Sequence, residues 1–219
     1  MRVDVKICGL TRLVDRDAAI AGGARWLGFV FYPPSPRSLG PEAAGALVRG
    51  RPGTAEAVGV FVDPDDAWLE AVLAEAPLDL IQLHGTETPE RVAAVKARTG
   101  RRVIKALSVA DAADVARHAA YLDVADMLLF DAKPPKVPDA IPGGNGLAFD
   151  WRLLAGQRIA LPWLLAGGLD EANLQDAVRL TGAPAVDVSS RLETAPGIKD
   201  PTRIARLLDR ARDIAALSV

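Results

Sequence analysis

The chain is 219 residues long, half hydrophobic and a quarter charged, with 26 Lys+Arg against 28 Asp+Glu. That composition supplies a large core and excludes a disordered chain, and the balanced charge gives no electrostatic ground for a nucleic-acid partner. One cysteine and two histidines exclude an internal disulfide and a Cys/His zinc cluster.

The N-terminus, MRVDVKICGL, has too short an apolar stretch for a signal peptide, and no run approaches the roughly 18 apolar residues of a membrane span. The expectation is a cytoplasmic protein with no membrane partner. Short apolar runs then recur along the chain: Val3–Ile7, Leu27–Phe31, Val58–Val62, Leu80–Leu83, Val103–Leu107, Met127–Phe130, Trp163–Ala166 and Ala185–Val188. Each is followed by a turn signal and a longer polar–apolar stretch, as buried strands alternating with helices require. The spacing, about 27 residues per unit, is that of a strand plus its crossover helix. Asp63-Pro64, Thr88-Pro89 and Asp200-Pro201 each put a capping side chain before a proline at the first helical position. Asp170 opens a further helix without a proline. In the last segment Ile204, Leu207, Leu208, Ala211 and Ala215 fall on one helical face.

Strict alternation predicts an α/β protein with parallel strands and right-handed crossovers. Eight units favour a single (β/α)8 TIM barrel, one domain over residues 1–219, against an open doubly wound sheet. The G-x-G-x-x-G turn of the open sheet is missing after the first strand, where Cys8-Gly9-Leu10-Thr11 stands. The Pro- and Gly-rich gap from Asp131 to Trp151 is too long for a plain connector.

Active sites of such barrels form where the strands end. Reactive side chains at those ends are Cys8, Asp63, His84, Asp131 and Ser189-Ser190, with Arg37 in the loop after strand 2. Alternate residues face the lumen, so Lys6 and Asp4 go inward with Cys8, Leu129 with Asp131, and Gln82 with His84. Each has an ordinary explanation as well. A lone cysteine packs as a small hydrophobe, Asp63 caps a helix, and Lys6 and Lys105 pair with acidic groups inside the barrel. Asp131 has no helix start beside it, which favours a chemical role. Trp26, Trp68, Trp151 and Trp163 read as packing residues, and His118 has no role. Gly143-Gly144-Asn145-Gly146 precedes strand 7, Gly167-Gly168 ends it, and Ser189-Ser190 follow strand 8. Glycine turns let backbone N–H groups approach an anion, and this is where barrels hold phosphate. The expected ligand is a phosphorylated small molecule.

These motifs, in this order, carry a resemblance. Lys6-Ile7-Cys8-Gly9-Leu10-Thr11, Gly28-Phe29-Val30-Phe31-Tyr32 with Ser35-Pro36-Arg37, Gly59-Val60-Phe61-Val62 and Gln82-Leu83-His84-Gly85 resemble the first four strands of the phosphoribosylanthranilate isomerase family. Phe130-Asp131, the Gly143–Gly146 turn with Phe149-Asp150-Trp151, Ala166-Gly167-Gly168-Leu169 and Val186-Asp187-Val188-Ser189-Ser190 continue it to the end. Arg191 and Leu147 depart from the glycine and the lysine or threonine common there; both flank the phosphate loops.

The resemblance implies a cofactor-free enzyme that performs an Amadori rearrangement of N-(5-phosphoribosyl)anthranilate. It implies Cys8 as general base, Asp131 as general acid, and Arg37 on the anthranilate carboxylate. His84, Gly144, Gly146, Gly167, Gly168, Ser189 and Ser190 would bind the substrate, the glycines and serines at its phosphate. No metal is implied, and a monomer or a homodimer is expected. An ordinary thiol needs only a modest fall in pKa to act as base near neutral pH. Two other readings stand beside this one. The histidine-pathway isomerase does the same chemistry with an aspartate where Cys8 stands, and a non-catalytic phosphosugar-binding barrel would keep the fold alone.

Overall fold

The computed structural model describes residues 3–133, 143–144 and 146–216, without the side chains of the last two. Eight parallel strands close into a barrel in chain order: β1 (Asp4–Cys8), β2 (Trp26–Val30), β3 (Glu56–Phe61), β4 (Leu80–Leu83), β5 (Arg102–Val109), β6 (Met127–Ala132), β7 (Trp163–Leu165) and β8 (Ala185–Val188). β8 returns to β1 with Lys6 opposite Asp187, which rules out the open sheet. Every expected apolar run holds a strand. β6 continues through Asp131 and Ala132, so Asp131 is fixed by the strand ladder itself and not by a loop.

The outer layer consists of α1 (Leu13–Ala21), α2 (Pro41–Val48), α3 (Asp66–Glu75), α4 (Pro89–Thr99), α5 (Ala112–Ala116), α6 (Leu174–Thr181) and α7 (Pro201–Ala216). Two of the expected caps hold. Thr88 Oγ1 accepts from the Arg91 N–H at 3.3 Å, and Asp200 Oδ1 from the Thr202 N–H at 2.8 Å. Asp63 is not a cap. Asp65 caps α3, accepting from the Trp68 N–H at 2.7 Å, while Asp63 takes a left-handed φ of 44° and accepts from the Thr86 N–H at 2.7 Å. The tie between the loops after β3 and β4 claims Asp63 and leaves the later aspartate for the helix. Asp170 starts a turn, accepting from Ala172 and Asn173 N–H groups, and α6 begins only at Leu174. Strict alternation also fails once. Between β6 and β7 the helical piece among the described residues is a single 3-10 turn, Trp151–Leu154, because Gly156 and Pro162 leave too short a stretch beyond it. On α7, Ile204, Leu207, Leu208 and Ala211 are buried as expected; the Ala215 side chain lies outside the described residues.

Two apolar layers follow from strand alternation. Trp26, Val58, Leu80, Ile104, Leu129 and Leu164 fill the lumen. Leu27, Phe29, Phe61, Leu83, Phe130 and Val186 pack outward against the helices, with the Phe31 and Phe61 rings stacked 5.1 Å apart. Lys105, expected inside the barrel, faces the helix layer. Its strand neighbours Ile104 and Ala106 take the inward positions, and it pairs there with buried Glu87 at 2.5 Å. Burial holds its ammonium below the ordinary value, and Glu87 offsets only part of that. Among the described residues no helix is long and apolar enough to cross a membrane.

Candidate active site

The lumen is packed at its lower end and opens above Val30 and Val60 into a cavity that is continuous with solvent. The strand ends and their loops bring Cys8, Arg37, His84, Asp131, Gly144, Gly146, Gly167, Gly168, Ser189 and Ser190 to the lining of this one cavity, while Asp63 is tied to Thr86 instead. Asn145, from the same glycine turn, lies outside the described residues.

Cys8 is the last residue of β1 and points inward, as does Asp131 on β6; both are buried at the cavity wall. Asp131 Oδ1 accepts from the Ala132 N–H at 2.8 Å, and its Oδ2 lies 3.3 Å from His84 Nε2. Beneath them Gln82 Nε2 lies 2.7 Å from His84 Nδ1, so the inward face of β4 orients the imidazole toward the carboxylate. His84 therefore touches the candidate acid as well as the cavity. Gly143 closes against the pair. At its φ of +73°, which suits glycine, a Cβ would sit 2.8 Å from His84 Nε2 and 3.1 Å from Asp131 Oδ2.

Arg37 is held in two directions. Its Nε and one terminal nitrogen donate to both oxygens of Glu193 at 2.7 and 2.8 Å, and that same nitrogen reaches the Gly144 carbonyl at 3.3 Å. Glu193 opens a small antiparallel hairpin, β9 (Glu193–Ala195) with β10 (Ile198–Lys199), and also accepts from Lys199 at 2.7 Å. Burial works against the Glu193 carboxylate, but the guanidinium and the ammonium outweigh it and hold its pKa below the ordinary value. Burial conversely holds the Lys199 ammonium low. Lys199 donates to Ser189 Oγ at 3.3 Å, and that hydroxyl donates to the Cys8 carbonyl at 3.0 Å. On the other side Ser190 and Arg191 face Gly146, with an Arg191 donor 3.0 Å from its carbonyl. Gly167 and Gly168 pack against the backbone from Gly146 to Ala148, so the three expected phosphate segments meet.

The electrostatics of Cys8 run opposite to the modest fall that the sequence suggested. Burial pushes the thiol above its ordinary value; Lys6 and Lys199 pull it back only in part, and Asp187 adds to the rise. Sequence reasoning missed Asp187 and Lys199, which act on this thiol, and Glu193, which binds Lys199 and Arg37. Asp187 was reachable, since it shares the inward face of β8 with Ser189. The Pro196-Gly197 turn signalled the hairpin that carries the other two. Among the described residues no group of three or more His, Cys, Asp or Glu side chains is placed to hold a metal ion.

The family model for N-(5'-phosphoribosyl)anthranilate isomerase matches residues 5–210. The isomerase of that name from Paracoccus denitrificans is 60% identical over 212 residues, covering 96% of this chain and 98% of that protein. The crystal structure of phosphoribosyl anthranilate isomerase from Thermotoga maritima superposes with a TM-score of 0.86 at 35% identity, covering 96% of this chain and 99% of that one. Another structure of the enzyme, in complex with reduced 1-(o-carboxyphenylamino)-1-deoxyribulose 5-phosphate, gives a TM-score of 0.83 at 33% identity with the same coverage. With a closed barrel, a cavity at its strand ends and matches that run almost from end to end, the chain belongs to the N-(5'-phosphoribosyl)anthranilate isomerases, the enzymes that carry out the Amadori rearrangement of tryptophan biosynthesis.

Proposed function

We propose that Cys8 and Asp131 are the proton-transfer pair of this isomerase, working on opposite sides of one ribose. The observation that carries the proposal is their convergence. Two polar groups from β1 and β6 reach the wall of the same cavity, which Val30 and Val60 also line.

As general acid, Asp131 gives a proton to the ring oxygen as the C1–O bond breaks. The nitrogen lone pair closes onto C1 and forms a protonated imine. That imine acidifies the hydrogen on C2. The Cys8 thiolate takes it, and the C–H electron pair becomes the C1–C2 double bond of an enolamine. Tautomerisation moves a proton from the C2 hydroxyl to C1 and leaves the ketone. The cycle closes when the proton on sulfur returns to the Asp131 carboxylate. His84 and the Ala132 N–H fix the carboxyl group for this task. Arg37, oriented by Glu193, would receive the anthranilate carboxylate. The Gly146, Gly167-Gly168 and Ser189-Ser190 segments would receive the phosphate of a phosphorylated small-molecule substrate. Binding at both ends immobilises C2 against the sulfur.

The same reading has residues 1–219 acting as one domain in the cytoplasm, as a monomer or homodimer, with no cofactor, metal, nucleic-acid or membrane partner. It is tested by following the fluorescence of N-(5-phosphoribosyl)anthranilate. The chain should consume it, Cys8→Ala should lose about 10²-fold or more in kcat with KM little changed, and Asp131→Asn should lose at least as much. Near-normal turnover by either variant removes that residue from the pair.

A further inference from the structure

We infer that Lys6 is a positioning residue for the reaction: its buried ammonium lies within about 6 Å of the Cys8 sulfur and eases the ionisation of that sulfur, while Asp187 holds the ammonium in place. The inference rests on the reading of Cys8 as the base.

Lys6 and Cys8 are two residues apart on β1, so both side chains enter the lumen. They meet in room that Gly28 provides, opposite Cys8 on β2. A Cβ at Gly28 would lie 2.9 Å from Cys8 Sγ and 3.1 Å from Lys6 Nζ. The sulfur and the nitrogen are thus within about 6 Å of each other in a site shielded from water, where opposite charges attract far more strongly than in solvent. Any side chain at position 28 would separate them. Lys6 is wholly buried, so it reaches a substrate only through the sulfur. Among the described residues its carboxylate partner is Asp187, 3.0 Å away on β8, and an ammonium with three donors has capacity left after that contact.

The chemistry requires such a neighbour. Burial raises the thiol, and the cation near it limits that rise. Burial also disfavours the Lys6 ammonium, yet Asp187 and then Cys8 outweigh that and lift it above its ordinary value, so it stays charged. Asp187 has a double effect: it secures the cation and it opposes ionisation of the sulfur. Of the other charged groups, Lys199 also pulls the thiol down and donates to Ser189, Arg37 pairs with Glu193, and Asp131 and His84 line the same cavity.

Iodoacetamide reads the sulfur directly, because Cys8 is the one cysteine in the chain. Lys6→Met should move the midpoint of the alkylation–pH curve up by about one unit or more, slowing labelling at neutral pH about tenfold. Lys6→Arg, which keeps the charge, should stay near the parent. If Lys6→Met does not fold, the double variant Lys6→Met/Asp187→Asn leaves no unpaired buried charge and should shift upward as well. An unmoved or lowered midpoint in Lys6→Met or its double variant overturns the inference, whatever happens to turnover. Failure of the base reading looks different: Cys8→Ala would turn over normally while the alkylation curves of the other variants kept their order.

Discussion

Glu193→Gln removes one charge from the Arg37–Glu193–Lys199 cluster and keeps the shape. In the parent, Glu193 accepts two bonds from Arg37 and one from Lys199, and the side chains of all three are at most 8% exposed. The variant presents an amide donor to a guanidinium donor and leaves two buried cations without a carboxylate. Removing one partner of a buried pair costs about 3–5 kcal/mol, and in a chain of this size each kcal/mol moves the Tm by roughly 2–4 °C. A fall of roughly 6–20 °C is therefore expected, matched by a lower urea midpoint at an unchanged slope. The pH dependence gives a second test. The folded Glu193 pKa is depressed, so its stabilisation is complete above the unfolded carboxylate value, near 4.3, and is lost as pH falls through the folded value. In that window the parent loses stability more steeply than Glu193→Gln. Arg37 also loses its orientation, so KM should rise roughly tenfold with a smaller change in kcat. Urea unfolding between pH 3.5 and 7, with steady-state fluorescence kinetics, measures all three. A variant within 1 kcal/mol of the parent, with the same acid limb and the same KM, would refute the reasoning.

Three other substitutions probe separate parts of the account. Arg37→Ala should raise KM and leave kcat within about threefold, since the side chain would bind ground and transition states alike; a fall in kcat alone would mean that Arg37 does not hold the carboxylate. Gly143→Ala puts a methyl group against His84 and Asp131 at an unfavourable backbone angle, so kcat/KM should drop by about 10²-fold, and an active variant would show that this turn is not a wall of the site. Leu129→Ala empties part of the lumen layer below Asp131 and should cost about 2–5 kcal/mol in urea unfolding; a loss under 1 kcal/mol would mean that the barrel interior is poorly packed there.

The barrel was legible because strands buried on both faces read as unbroken apolar runs, and alternation along them placed Cys8, His84 and Asp131 at one mouth. Local chemistry was legible where one residue had one use, as at Thr88 and Asp200. It misled where a side chain had a distant competitor. Asp63 is claimed by the loop after β4, and Lys105 by Glu87 on the helix side. The field around Cys8 was the least legible part. Lys6 and Asp187, or Arg37 and Glu193, are separated by 181 and 156 positions, and nothing in their local sequence says that barrel closure will bring them together. The rise of the thiol pKa is likewise a property of burial by residues from several strands, not of the Lys6-Ile7-Cys8 segment itself.

The pairing of sulfur and carboxyl across one ribose is tested most directly by single-turnover kinetics on substrate carrying deuterium at C2. The account predicts a several-fold slower rearrangement of the deuterated compound by the parent chain and a loss of about 10²-fold or more in rate on both compounds with Cys8→Ala. A Cys8→Ala protein that rearranges both at the parent's rates would contradict it.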